Sequence, residues 1–83
     1  HWAGNEVAIA WQGAALRIDR LVALRTPDGP QWWVLDYKLQ HAPHEVAAYR
    51  AQLGAYRDAV QALQPGDAVR AAFITGGGEV IEL

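Results

Sequence analysis

The chain has 83 residues, 52% of them hydrophobic and 19% charged, with a formal net charge of −2. That composition belongs to a globular domain with room for one core, which excludes a disordered or fibrous chain. It also has no cysteine for a disulfide framework or a thiolate zinc site, no apolar run near the roughly 20 residues of a membrane helix, and no basic excess for independent nucleic-acid binding.

The absence of cysteine points to a cytoplasmic setting. A chain that opens at His1 and contains no methionine is expected to be one domain, residues 1–83, cut from a much larger protein. At this size the core is marginal, so contacts with neighbours outside the chain are expected to matter.

Residues Glu6 to Trp11 alternate weakly and predict a short strand closed by Gln12-Gly13. Ala14 to Arg25 predicts a second. Side chains alternate along a strand, so Leu16, Ile18, Val22 and Leu24 fall on one face and Arg17, Asp19 and Leu21 on the other. On that reading Asp19 sits opposite the main apolar row. Thr26 to Pro30 is a hairpin turn, with Pro27 pre-setting its φ and Gly29 tolerating a positive one.

Gln31 to Leu39 predicts a third strand, aromatic and β-branched enough to be central, with Trp32, Val34, Asp36 and Lys38 on one face. After Pro43 a helix from about His44 to Leu63 carries Val46, Tyr49, Leu53, Tyr56, Val60 and Leu63 as a one-sided stripe. Pro65-Gly66 ends it. Gly54 weakens its middle by about 1 kcal/mol relative to alanine, which suggests close packing there. Ala68 to Thr75 is a fourth strand, and the glycines 76–78 lead into a fifth from Glu79 to Leu83. The fold class expected is α+β, a mixed β-sheet with one long helix between the third and fourth strands. That helix permits those two strands to lie parallel while hairpins join the others.

Asp19, Asp36 and Lys38 lie in strands that ought to be buried or half-buried. Burying a carboxylate costs several kcal/mol unless it is paired or binds a cation, so two in apolar strands need an explanation. The turn lies between them, so their strands run side by side and both acids can reach one point. Two carboxylates there suit a hard divalent cation such as magnesium, with water and a substrate phosphate in the remaining positions. Lys38 points the same way as Asp36, where an ammonium can orient the attacking water or stabilise charge on phosphorus.

Ile18-Asp19-Arg20, Asp36-Tyr37-Lys38 and Gln52-Leu-Gly-Ala-Tyr56 together resemble the PD-(D/E)XK nuclease superfamily, in particular the RecB-like nuclease domain at the C-terminus of AddA- and RecB-type (UvrD-like) helicase-nucleases. The resemblance covers nearly the whole chain, from Glu6 onward. It implies a truncated restriction-endonuclease-like core and a deoxyribonuclease, there an exonuclease, that uses Mg2+ or Mn2+. Asp19, Asp36 and the Tyr37 carbonyl would be metal ligands and Lys38 catalytic. Gln52 and Tyr56 would contact DNA or support the site. It further implies recombinational DNA repair, ATP-binding helicase domains on the same parent chain, and a partner subunit.

Two departures stand out. Leu16 occupies a position where the family often has glycine, three residues before its first acid. The family also begins with a helix whose histidine or acid completes the metal site, upstream of where this chain opens; Glu6 is a distant carboxylate.

Other residues have plainer readings. Asp36 and Lys38 alone could be a solvated pair on an edge strand. His41 and His44 read as a loop pair and the glycines 76–78 as a flexible turn. Trp32 and Trp33 face opposite ways, so at most one could stack on a base. Arg17 and Arg20 also diverge, and either can touch a phosphate; Arg20 is the one assigned to DNA here. The competing reading of the whole is a non-catalytic nuclease-like module for DNA holding or subunit docking.

Overall fold

Five strands and one helix follow one another as β1 (Trp2–Trp11), β2 (Ala14–Thr26), β3 (Gly29–Lys38), α1 (Ala47–Leu63), β4 (Ala68–Thr75) and β5 (Val80–Glu82). The computed structural model describes residues 1–83. Spatial order in the sheet repeats chain order, β1-β2-β3-β4-β5. Pairs β1/β2, β2/β3 and β4/β5 are antiparallel hairpins, and only β3/β4 is parallel. The parallel pair is the one bridged by α1, because a return in the same direction needs a long crossover. The expected α+β architecture, a mixed sheet under one helix, is what the chain forms.

The ends differ from expectation in instructive ways. β1 starts at Trp2 rather than Glu6. The helix does not start at His44: Pro43–Glu45 is a single 3-10 turn, Val46 is extended, and α1 begins after it. No side chain caps this start, so proline pre-organises the 3-10 turn and α1 begins one residue later, after the extended Val46.

α1 covers one face of the sheet. Ile9, Ile18, Leu21, Val34, Leu53, Ala59, Val60, Ala71 and Phe73 form the core between them. The ends of the expected stripe, Val46 and Leu63, are exposed, whereas Ala59, which the stripe did not include, is fully buried. Gly54 is not a point of tight contact, since a Cβ there would meet nothing nearer than 4.0 Å. Tight contact occurs at Gly76, where a Cβ would stand 3.0 Å from the Leu39 carbonyl oxygen. Glycine thus lets the end of β4 pass the chain leaving β3.

The alternation read along β2 needs correcting. Leu16 and Ile18 pack on the core, but so does Leu21, while Val22 and Leu24 line the uncovered face with Trp33, Leu35, Ile74 and Val80. The pleat therefore changes phase between Ile18 and Asp19. On β1 the same happens: Val7, Ile9 and Trp11 pack on the core, and Trp2, about half exposed, lies on the same side with its ring 6.0 Å from that of Trp32. The pairs Asn5↔Arg20 and Val7↔Ile18 leave Glu6 facing Asp19, and Glu6 has φ 51°. A left-handed residue inside a strand re-aims its neighbours as a bulge does. Asp19 therefore shares the helix-covered side with Ile18 instead of opposing it.

Candidate active site

The site lies where β3 ends. Alternation places Val34 and Asp36 beneath α1, both almost wholly buried, and turns the Tyr37 side chain to the opposite face, where it is 51% exposed. The β2/β3 ladder stops at Arg20↔Leu35, so the next pair in register would set Asp19 against Asp36. There the backbones part, and the Asp19 side chain fills the gap. Its Oδ2 accepts the Tyr37 backbone N–H at 3.0 Å, and its carboxyl is close enough to Asp36 to raise that acid's pKa.

Burial first, and the contact with Asp19 second, push the Asp36 carboxyl up to about 6, against the opposing pull of the Lys38 ammonium. Such a carboxyl is poised to change charge near neutrality. Lys38 Nζ lies 3.3 Å from Asp36 Oδ2. The contact is an ion pair without full hydrogen-bond geometry, and Oδ2 remains a buried oxygen with no hydrogen-bond partner. A buried carboxylate oxygen with an ammonium nearby but no hydrogen bond is only partly compensated, and a further cation would complete it. The donors offered are hard oxygens, which suit magnesium or manganese better than a thiophilic metal. The residues present therefore fit a divalent cation, with two carboxylates as its protein anchors.

Among the other residues read from sequence, Tyr56 lies close enough to feel the pair. Its hydroxyl is raised by burial and then by the charges of Asp36 and Asp19. Gln52 is exposed on α1 one turn before Tyr56, on the same side of the helix. Arg20 is not brought to the site. It is paired across β3 with Leu35 of the uncovered face, and its guanidinium donates to Asn5 Oδ1 at 2.7 Å. Glu6 adds no third carboxylate, because its side chain is exposed and lies 4.0 Å from Arg17. No cluster of three or more His, Cys, Asp or Glu side chains forms anywhere in the chain.

Two neighbours of Lys38 escaped the sequence reading. Its ammonium stands 4.5 Å from the centre of the Tyr49 ring, and Gln40 Nε2 donates to the Tyr49 hydroxyl at 2.9 Å. The only sequence signal was an aromatic early in the helix that follows the lysine strand, where apolar periodicity alone already accounted for it.

Residues 15–80 match the family model described as the PD-(D/E)XK nuclease superfamily. No curated protein matches the chain.

Proposed function

Since the chain belongs to the PD-(D/E)XK nuclease superfamily, we propose that it hydrolyses phosphodiester bonds in DNA with a divalent cation, magnesium or manganese, held by Asp19 and Asp36. The observation that carries this reading is the approach of the two acids to one another, one with a buried oxygen that has the Lys38 ammonium 3.3 Å away but accepts no hydrogen bond. Tyr37 supports the same site. Its N–H is directed at Asp19, and the carbonyl of a strand residue leaves on the same side as its N–H, which suits it as a further ligand.

When bound, the cation polarises the phosphate and lowers the pKa of a coordinated water. The residues of the chain do the rest. Asp36, ionised above about pH 6, and Asp19 hold the negative pole of the site. Lys38 Nζ, beside Asp36, hydrogen-bonds the attacking water or the phosphate oxygens as charge builds. The attacking water gives up a proton to bulk solvent as one P–O bond forms to its oxygen and one ester P–O bond breaks. The departing alkoxide takes up a proton from solvent. Tyr56 and Gln52 on α1 brace the bound strand.

The finer reading follows the RecB-like pattern of Ile18-Asp19-Arg20, Asp36-Tyr37-Lys38 and Gln52 to Tyr56. It is an exonuclease domain of a cytoplasmic helicase-nuclease in recombinational repair, with ATP-driven helicase domains on the parent chain and a partner subunit. No helix is long and apolar enough to cross a membrane.

Cleavage of end-labelled DNA in magnesium or manganese tests the assignment. Asp36→Ala and Lys38→Ala should each lower the rate by about 100-fold or more; undiminished cleavage rejects it. The second reading, a non-catalytic module for DNA holding or subunit docking, draws on the uncovered apolar face of Val22, Leu24, Trp33, Leu35, Ile74 and Val80. Calorimetric titration with magnesium separates the two, because a docking module gives no heat that depends on Asp19 and Asp36.

A further inference from the structure

Lys38 is the only lysine in the chain. Its side chain is held from two sides: Asp36 Oδ2 at 3.3 Å and the face of the Tyr49 ring at 4.5 Å from Nζ. The ring is itself tethered. Gln40, two residues beyond Lys38 on the segment leaving β3, donates from Nε2 to the Tyr49 hydroxyl at 2.9 Å. The lysine, the amide and the ring thus close a loop between the end of β3 and the first turns of α1.

An ammonium on a flexible four-carbon stem has many rotamers and is strongly hydrated, so a fixed catalytic position needs restraint. Asp36 cannot supply all of it. A carboxylate that binds a cation shares its charge with that cation, which weakens its hold on a neighbouring ammonium. An aromatic face attracts the ammonium through its quadrupole and takes no part in metal ligation. It restrains Nζ without neutralising it.

We propose that Tyr49 is a positioning residue: its ring, anchored by Gln40, holds the Lys38 ammonium at the metal-binding carboxylates while leaving its protons free for water or phosphate. The role as a positioner in catalysis rests on the nuclease reading above; the ring–ammonium contact stands apart from it. The ring is the active element and the hydroxyl is its tether. Replacement by leucine removes the ring but retains an apolar side chain facing the core. Replacement by phenylalanine keeps the ring and removes only the tether.

The test uses the full chain with 13C-labelled lysine, which gives a single set of side-chain signals. The Cε protons of Lys38 should lie upfield of their free-lysine position, shielded by the ring. That shift should vanish in Tyr49→Leu and persist in part in Tyr49→Phe and Gln40→Ala. In DNA cleavage, Tyr49→Leu should lower kcat by about tenfold with little change in KM. Tyr49→Phe should recover most of that loss, and magnesium affinity by calorimetry should be unchanged in both.

Wild-type lysine signals at the free-lysine position, or a Tyr49→Phe variant as damaged as Tyr49→Leu, would overturn the proposal. The two levels fail separately. An intact ring shift in a chain that cleaves no DNA overturns the nuclease reading and with it the catalytic purpose of the contact, whereas cleavage by a chain with no ring shift overturns the role of Tyr49 alone.

Discussion

Asp19 Oδ2 accepts the backbone N–H of Tyr37 at 3.0 Å, just past Arg20↔Leu35, the last rung of the β2/β3 ladder. The first acid of the site therefore also closes the sheet. Its carboxyl occupies the place where the partner strand has turned away, and the same hydrogen bond sets the spacing of Asp19 from Asp36.

These two roles of Asp19 separate by substitution. Asp19→Asn keeps an oxygen that can accept the Tyr37 N–H and removes the charge, whereas Asp19→Ala removes both. Chemical denaturation should show Asp19→Ala less stable than wild type by about 1 kcal/mol, with Asp19→Asn close to wild type. Calorimetry should show both without magnesium binding. Equal destabilisation by the two variants would contradict the hydrogen-bond role.

Asp36 makes stability depend on pH with a definite sign. Its carboxyl is raised to about 6, well above the range of an unfolded aspartate, so the folded state binds this proton more tightly than the unfolded one. The contribution is fully present below about pH 4 and is lost as pH rises through about 6. Without divalent metal, the wild type should therefore gain on the order of 1 kcal/mol through this group between pH 7 and pH 5. Asp36→Asn should lack that slope, and the difference between the two denaturation series isolates it.

The same proton competes with the cation. Ligation needs the Asp36 carboxylate, so magnesium affinity should fall about tenfold per unit as pH drops below about 6 and level off above it. Titration calorimetry in buffers of different ionisation enthalpy should show close to one proton released per cation at pH 5 and almost none at pH 8. A flat affinity across this range would place the cation elsewhere.

Glycine substitutions give a contrast inside one chain. Gly54 lies in the middle of α1 with nothing nearer than 4.0 Å to a new Cβ, so Gly54→Ala should stabilise the fold by about 0.5–1 kcal/mol. Gly76→Ala places a methyl 3.0 Å from the Leu39 carbonyl, a backbone atom that cannot swing aside, and should destabilise by about 1 kcal/mol or more. Thermal melts of the two variants should move in opposite directions.

Much of this molecule was legible from residue order. Trp32, Val34, Asp36 and Lys38 share a face as their alternation requires, and the helix between the third and fourth strands makes that pair parallel. The expected bounds of the fourth strand, Ala68 to Thr75, are those found. Less was legible in the second strand. Uniform alternation set Asp19 against Ile18, where the structure puts them on one side, and it did not show that Arg20 lies across from Leu35 and bonds Asn5, away from the two acids.

What the amino-acid order determined by itself is whatever depends on local period and punctuation: three strands, one helix and a fourth strand with a short candidate fifth, their senses, and an acid two residues before a lysine on one side of the third strand. What only the tertiary structure decided is which side Asp19 takes and what Lys38 leans on. The first depends on a left-handed Glu6 in the neighbouring strand, which shifts the pleat of a residue 13 positions away in sequence. The second depends on how α1 lies across the sheet, which brings Tyr49 over an ammonium on β3. Both are contacts between separate elements, and local periodicity carries no information about them.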